Sequence, residues 1–550
     1  MRRIVLAGSL GIVLLILGWL TCTPIRAASP ITVTTVADKL DDTDGLCSLR
    51  EAVLSANTDA AVGGCSGGSG ADTIAFSPAL VYPATFMLTR SGANEDGALT
   101  GDLDISGALT ISGTAAGSII VDGNGSDRAF DILPGARVAI SGLTIRNGNP
   151  GGGASGGGVV LGLTGVLTLT DSAVENNTAL TGGGIKVLGS LRLSDSLVQS
   201  NQGGGIRNDG GSLMLHNVNV ISNTGGYGVD NRQGSLSFNG GQVIGNQGGV
   251  HNSNNFSGAS LTNLTIMGNS NSGVTNTGGP SAVVLTLSGS QVMSNTASAG
   301  AGVRNDGLGA TMSIYNTRIA HNVAATSAGG VWNYGAMTII SSTVDHNSAL
   351  SGGGIRNNKG SLYLTNDTIS FNAASDNGGG LYSEAGATLT NVTVDSNRTY
   401  SDPGTGGSLF VDNSSMSLKN TIVSGGGAEG NCGYNLPAFL ISAGHNLTSD
   451  ATCGLTASGD ISNTNPLLGL LQDNGSATLT QALEPGSPAI DRGANSGCPT
   501  TDQRGLARPQ GVACDIGAYE SVSLIRRLYL PLILLNGGGM TILFGTYVGN

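Results

Sequence analysis

Residues 165–185 read GVLTLTDSAVENNTALTGGGI, and residues 189–208 read GSLRLSDSLVQSNQGGGIRN, an edited copy of the first. The phrase is still legible at 360–383, GSLYLTNDTISFNAASDNGGGLYS, and at 386–397, GATLTNVTVDSN. Three positions repeat with it. After the first apolar pair stands a residue that tolerates a tight or left-handed backbone: Asp171, Asp195, Asn217, Gly240, Asn263, Gly289, Asn316, Ser341, Asn366, Asn391 and Asn420. After the second apolar run stands an asparagine, at Asn177, Asn201, Asn223, Asn246, Asn269, Asn295, Asn322, Asn347, Asn372 and Asn397, in steps of 22 to 27 residues, with Gly425 in the next place. A Gly-rich approach then leads to one aliphatic residue per copy: Ile185, Ile206, Val229, Val250, Val274, Val303, Val331, Ile355, Leu381 and Leu409. Two places beyond most of these a second asparagine recurs, at Asn208, Asn231, Asn252, Asn276, Asn305, Asn333 and Asn357.

Each copy therefore holds three short runs of alternating apolar and polar residues separated by turn formers. A strand of three to five residues cannot bury its apolar face alone. Coils stacked at about 4.8 Å share one core and pair each backbone group with the coil above and below. The spacing predicts an all-β chain, a parallel β-helix with three short strands per coil, right-handed by the crossover rule for parallel strands. The repeated asparagines should stack into amide ladders along its axis. Val198, Val220, Val243, Ile266, Val292, Ile319, Val344, Ile369 and Val394, each three places before a ladder asparagine, should form one inward stack. Leucine-rich or helical repeats fit poorly, because glycine is 91 of 550 residues and no 3.6-period apolar face runs through the copies.

Charged residues are 11% of the chain, aromatics 4%, and the net charge is −12. No basic stripe is present, which excludes nucleic acid as an expected partner. No calcium-binding nonapeptide pattern occurs, and no cofactor is expected. Residues 1–27 read as a secretory signal, with Arg2 and Arg3 before an apolar run from Ile4 to Leu20; an uncleaved anchor is the alternative. The other cysteines fall as near neighbours, Cys47 with Cys65, Cys432 with Cys453 and Cys498 with Cys514, and in an exported chain these read as disulfides.

Residues 28–101 open with a strand, ITVTTVAD, and then LCSLREAVLSAN, where Ser48 and Glu51 make a capping-box pattern and Leu46, Leu49, Val53 and Leu54 share a helical face. A short helix there should act as a lid on the first coil. CSLREAV, GADTIAFSPAL, SIIVDGNGSDRAFDI and VAISGLTIRNGN together resemble the CSLREA-type N-terminal region of exported bacterial β-helix proteins, over roughly Ile31 to Asn149. Coils are expected over 102–425. Over 426–520, NPLLG, LQDNGSATLTQAL, EPGSPAIDRG and DIGAYE resemble the module called choice-of-anchor Q, which follows β-helices in surface proteins. These resemblances imply a pectin-lyase-like solenoid, secreted or at the cell surface, with envelope attachment through the C-terminal region. Residues 521–550 are an apolar tail, read equally as a packed terminal strand or as a short sorting or anchoring signal.

Many right-handed β-helices act on polysaccharides, through paired carboxylates or an acidic cluster beside a base. The spacing shows isolated acids only. Asp345 and Asp395 share a register two coils apart, with Ser370 between. His321 and His346 share one in consecutive coils, but alternation would send Asp345 to the other face. No catalytic residue and no metal ligand are therefore assigned. For binding, the register after the aliphatic ladder reads Arg304, Trp332, Arg356, Tyr382 and Phe410, with Tyr334 close by. Alternation should set these planar groups on one exposed face, as a platform for a polysaccharide or cell-surface glycan or as a self-satisfying cation–π ladder. The expected function is an adhesin-like display or binding rod without catalysis, with a polysaccharide lyase or hydrolase as the alternative.

Overall fold

The structure, a computed structural model, describes residues 29–92, 95–254, 256–400 and 406–522, and the backbone of Leu528–Asn536 and Gly539–Tyr547. The signal read over residues 1–27 lies outside the described residues. The chain is a parallel β-helix. Each coil contributes one strand to a 14-stranded sheet, from Leu103–Ile105 to Cys432–Asn435, called here the face sheet, and two strands to a 28-stranded sheet that forms the other sides. A 5-stranded sheet adds a short further side between Thr296–Ala299 and Arg398–Thr399. Parallel pairing reaches beyond the repeat at both ends, from Ile31–Val33 against Ile74–Phe76 to Ile422–Val423 against Leu447–Thr448.

The repeated turn formers all lie in the left-handed region, with φ from 46° at Asn316 to 72° at Gly240, which is why Asp, Asn, Gly and Ser fill that place. Between corners, alternation sends the predicted stack inward. Val198 through Val394 pair coil to coil in register, and all nine are fully buried.

Asparagines satisfy the buried corners. In one rung the backbone N and Nδ2 of Asn201 donate to Asn223 Oδ1 at 3.0 and 2.9 Å, and the same Nδ2 donates to Val174 O. Rungs of this kind run from Asn177 to Asn397. A second ladder starts with Asn208 Nδ2 donating to Asn231 Oδ1 at 2.8 Å and ends with Asn357 Nδ2 donating to Ser383 Oγ at 3.1 Å. Each rung pairs polar atoms that would otherwise be buried unsatisfied.

Arginines take over at the ends. The helix Leu49–Thr58 begins with the expected capping box, Glu51 N donating to Ser48 Oγ and Ser48 N to Glu51 Oε2. Leu49, Val53 and Leu54 are buried in the core that runs on into the coils, as a lid requires, but Leu46 is exposed because it precedes the cap and is not on the helix. The buried Arg50 pairs with Asp38 and donates to Ala98 O, Gly101 O and Asp102 O, carbonyls that no further coil is there to receive. After Thr448 the chain turns back along the flank of the coils. Thr343 Oγ1 donates to Leu479 O, Thr368 Oγ1 to Gln503 Oε1, Ser370 Oγ to Gln481 Oε1 and Asn391 Nδ2 to Asp515 O. Within this segment the fully buried Arg508 pairs with Glu520 and donates to Asp515 O and Gly517 O.

The three disulfides join Cys47 to Cys65, Cys432 to Cys453 and Cys498 to Cys514, with Cα separations of 4.6, 4.9 and 6.7 Å. The tail strands Leu528–Asn536 and Gly539–Tyr547 pair antiparallel. Among the described residues no helix is long and apolar enough to cross a membrane.

Candidate functional site

In the face sheet, the residue after each inward aliphatic points outward, and strand pairing aligns these residues in one row. It reads Asp104, Asp131, Val160, Lys186, Arg207, Asp230, His251, Thr275, Arg304, Trp332, Arg356, Tyr382 and Phe410.

The planar residues predicted to line up do so. The guanidinium of Arg304 lies 6.0 Å from the Trp332 ring; that of Arg356 lies 5.8 Å from Trp332 and 4.6 Å from Tyr382; and the Tyr382 and Phe410 rings stack at 5.4 Å. Beside the row, Lys359 Nζ sits 5.2 Å from the Tyr334 ring. The row is not uniformly exposed, however. Arg304, Trp332 and Arg356 are half-buried, while Tyr382 and Phe410 are only 7% and 4% exposed. Each plane is covered by its neighbours in the adjacent coils, and glycine corners press against the base of the row. A Cβ on Gly378 would lie 2.8 Å from Tyr382 Cβ, and one on Gly300 would lie 2.9 Å from Trp332 Cβ. Burial and the hydrogen bond to Asp412 push the Tyr382 hydroxyl well above its usual range. The cations already have partners, Arg304 in Asp306 at 2.6 Å and Arg356 in Glu384.

The earlier half of the row, from Lys186 to His251, is built from charge pairs. Lys186 pairs with Asp209, which also accepts from Arg207 Nε at 3.0 Å. Asp230 accepts from Arg232 Nε at 2.9 Å and lies 3.7 Å from Arg207 Nη1. His251 Nδ1 lies 2.8 Å from Asp230 Oδ1, and its ring stacks on Tyr227 at 4.4 Å. Burial, then the Asp230 charge, raises the Tyr227 hydroxyl above its ordinary value. Beside this network is a recess of about 240 Å³ lined by Arg207, Tyr227, Asp230, Arg232 and the glycines 182, 203, 204, 225 and 226. It exists because successive coils present no side chain along that edge. The signal for this half was present in the sequence: Lys186, Arg207, Asp230 and His251 directly follow Ile185, Ile206, Val229 and Val250.

Elsewhere two expectations are corrected. His321 and His346 stack at 4.9 Å, and Phe371 continues the stack at 5.2 Å. Asp345 is not turned away from them. His346 Nδ1 lies 2.9 Å from Asp345 Oδ2, because His346 sits in a left-handed corner, φ 54°, where strand alternation does not hold. Arg318 closes the same carboxylate from two nitrogens, at 2.9 and 2.7 Å, which makes the group a paired charge cluster. Burial, then the charges of His346 and Arg318, lowers the affinity of His321 for a proton. Asp395, in register with Asp345 through Ser370, accepts from Ser424 and Gln481.

The acids also do not all stand alone. Asp104 and Asp131 pair across the first two strands of the face sheet, and ligand atoms of Asp102, Asp104 and Asp131 lie within 4.8 Å of one another. Burial and the neighbouring Asp127 push Asp102 up to about 7, and burial and Asp102 push Asp104 up to about 8. The irregular early coils hide this register in the sequence.

No family model matches the chain, and no curated protein matches it. Among solved structures it is similar to the pectate lyase Pel9A, at 14% identity over 90% of this chain and 97% of that one, with a TM-score of 0.20. It is also similar to a mutant tailspike protein of E. coli bacteriophage HK620 in complex with a pentasaccharide, at 10% identity over 78% of each chain, with a TM-score of 0.28. Likeness of this degree speaks to neither ligand nor activity; the fold rests on the strand pairing above.

Proposed function

We propose that this chain is exported, with a CSLREA-type N-terminal region and a choice-of-anchor Q-like C-terminal segment, and serves as a secreted or surface rod. It binds a glycan in the face-sheet recess around Arg207, Tyr227, Asp230 and Arg232. The observation that carries this reading is the recess itself, where arginine–aspartate pairs stand beside a half-buried aromatic ring. A paired guanidinium and carboxylate offer donors and acceptors side by side, which matches a sugar hydroxyl that is both. The ring offers a flat surface for the C–H face of a pyranose. A polyanion fits less well, since the local cations are already neutralised and the net charge of −12 repels it. The row from Arg304 to Phe410 serves instead as a ladder that locks neighbouring coils. Export is supported by the disulfides and attachment by the resemblance of residues 426–520.

One observation favours the enzymatic alternative. His251, held by Asp230 and stacked on Tyr227, is the residue type that serves as a general base, although its ring is buried outside the lining of the recess and its Nε2 lies 3.3 Å from Thr277 Oγ1, so catalysis would require that ring to turn toward the recess. A glycan array read beside a lyase and hydrolase panel separates the two. Saturable retention without new reducing ends or unsaturated products is expected. Turnover of a uronate polymer that is lost on His251→Ala would replace the binding reading with the lyase one.

A further inference from the structure

The first two strands of the face sheet, Leu103–Ile105 and Phe130–Ile132, place three carboxylates together where the N-terminal lid meets the coils. Among the described residues one cation serves them. Arg128 Nη1 lies 3.1 Å from Asp102 Oδ2 and 3.2 Å from Asp131 Oδ2. Asp104 is fully buried; its Oδ2 accepts from Ala98 N at 2.7 Å, but its Oδ1 is a buried atom without a hydrogen-bond partner among the described residues. Were all three carboxylates ionised, one guanidinium would leave two negative charges uncompensated, and Asp127 stands close by; without a further cation the acids must hold protons instead. Leaving such charge buried is far more costly than pairing it.

We infer that Asp102, Asp104 and Asp131 bind a divalent cation, calcium by its ligand chemistry, that clamps the lid to the first coils. All the donors are hard oxygens, with no nitrogen or sulfur ligand in the group. Two oxygens on a common calcium ion at about 2.4 Å each can be no more than about 4.8 Å apart, and the cluster falls within that span. A divalent ion also matches the residual charge left by Arg128. The loop it would hold is the one that Arg50 already grips through Ala98 O, Gly101 O and Asp102 O, so metal and lid act on the same segment.

The test is thermal melting of the full chain in chelator and in millimolar calcium, with bound calcium counted by equilibrium dialysis. Calcium is expected to raise the melting temperature of the wild type by several degrees. Asp104→Asn should abolish that rise, and the half-buried Asp131→Asn should weaken calcium binding tenfold or more. If Asp104→Asn does not fold, Asp131→Asn decides alone. A wild type indifferent to calcium, or variants that respond as the wild type does, would overturn the assignment.

Discussion

The two halves of the outward row share a backbone and carboxylate partners for their cations, and differ in what stands between those cations along the row. From Lys186 to His251 the partners are carboxylates: Asp209 takes Lys186 and Arg207, and Asp230 takes Arg232 and His251. From Arg304 to Phe410 the arginines keep carboxylate partners in Asp306 and Glu384, but rings stand between them in the row: Arg304 and Arg356 lie over Trp332, and Arg356 also lies over Tyr382. The glycine edge leaves a recess beside the first half. In the second half the planes of successive coils cover one another, and Tyr382 and Phe410 are as buried on the outer face of the sheet as Asp230 and His251 are in the first. Planar residues in a row are thus evidence of packing between coils as much as of a surface offered to a guest.

The largest expected effect lies in the ring half. Phe410→Ala should cost about 3 to 5 kcal/mol of stability, because a buried ring leaves a cavity under Tyr382. Chemical denaturation checks it, and a change within about 0.5 kcal/mol would mean that the ring faces water after all. Next come the interiors, where the halves should not differ. Ile369→Ala beneath the ring half should cost about 2 to 5 kcal/mol, and Val243→Ala beneath the charge half should approach it, since both sites are fully buried between in-register neighbours. If only one of the two variants is destabilised, the difference between the halves is not confined to the outer face. Smaller again is Trp332→Ala. Losing two long cation–π contacts at a half-buried site should lower stability by about 1 kcal/mol and leave glycan retention unchanged.

How much of this was legible in the sequence follows the regularity of the repeat. The asparagine ladders, the left-handed corners and the inward stack could be read because each rests on one residue or one residue class recurring once per coil, and the disulfide pairs because their cysteines are near neighbours in the chain. The outward row is legible from Arg304 onward by its planar residues; from Lys186 to His251 the same register after the aliphatic ladder holds residues that vary in type, because they pair across coils by charge. Alternation failed at His346, where a left-handed corner redirects the ring toward Asp345. The cluster of Asp102, Asp104 and Asp131 was hidden for a different reason: the early coils carry no asparagine ladder against which to count. The return of residues 449–522 along the flank was likewise invisible, because contacts such as Thr343 with Leu479 join positions 136 residues apart.

The claim that the charge half is the binding site is tested most directly by titrating the glycan best retained on an array into the wild type, Tyr227→Ala and Trp332→Ala. Loss of the ring beside the recess should weaken binding about fivefold or more, equivalent to about 1 kcal/mol, with a loss of stability comparable to that of Trp332→Ala, whereas Trp332→Ala should bind as the wild type does. Binding lost on Trp332→Ala and kept on Tyr227→Ala would contradict it, and would return the site to the ring half.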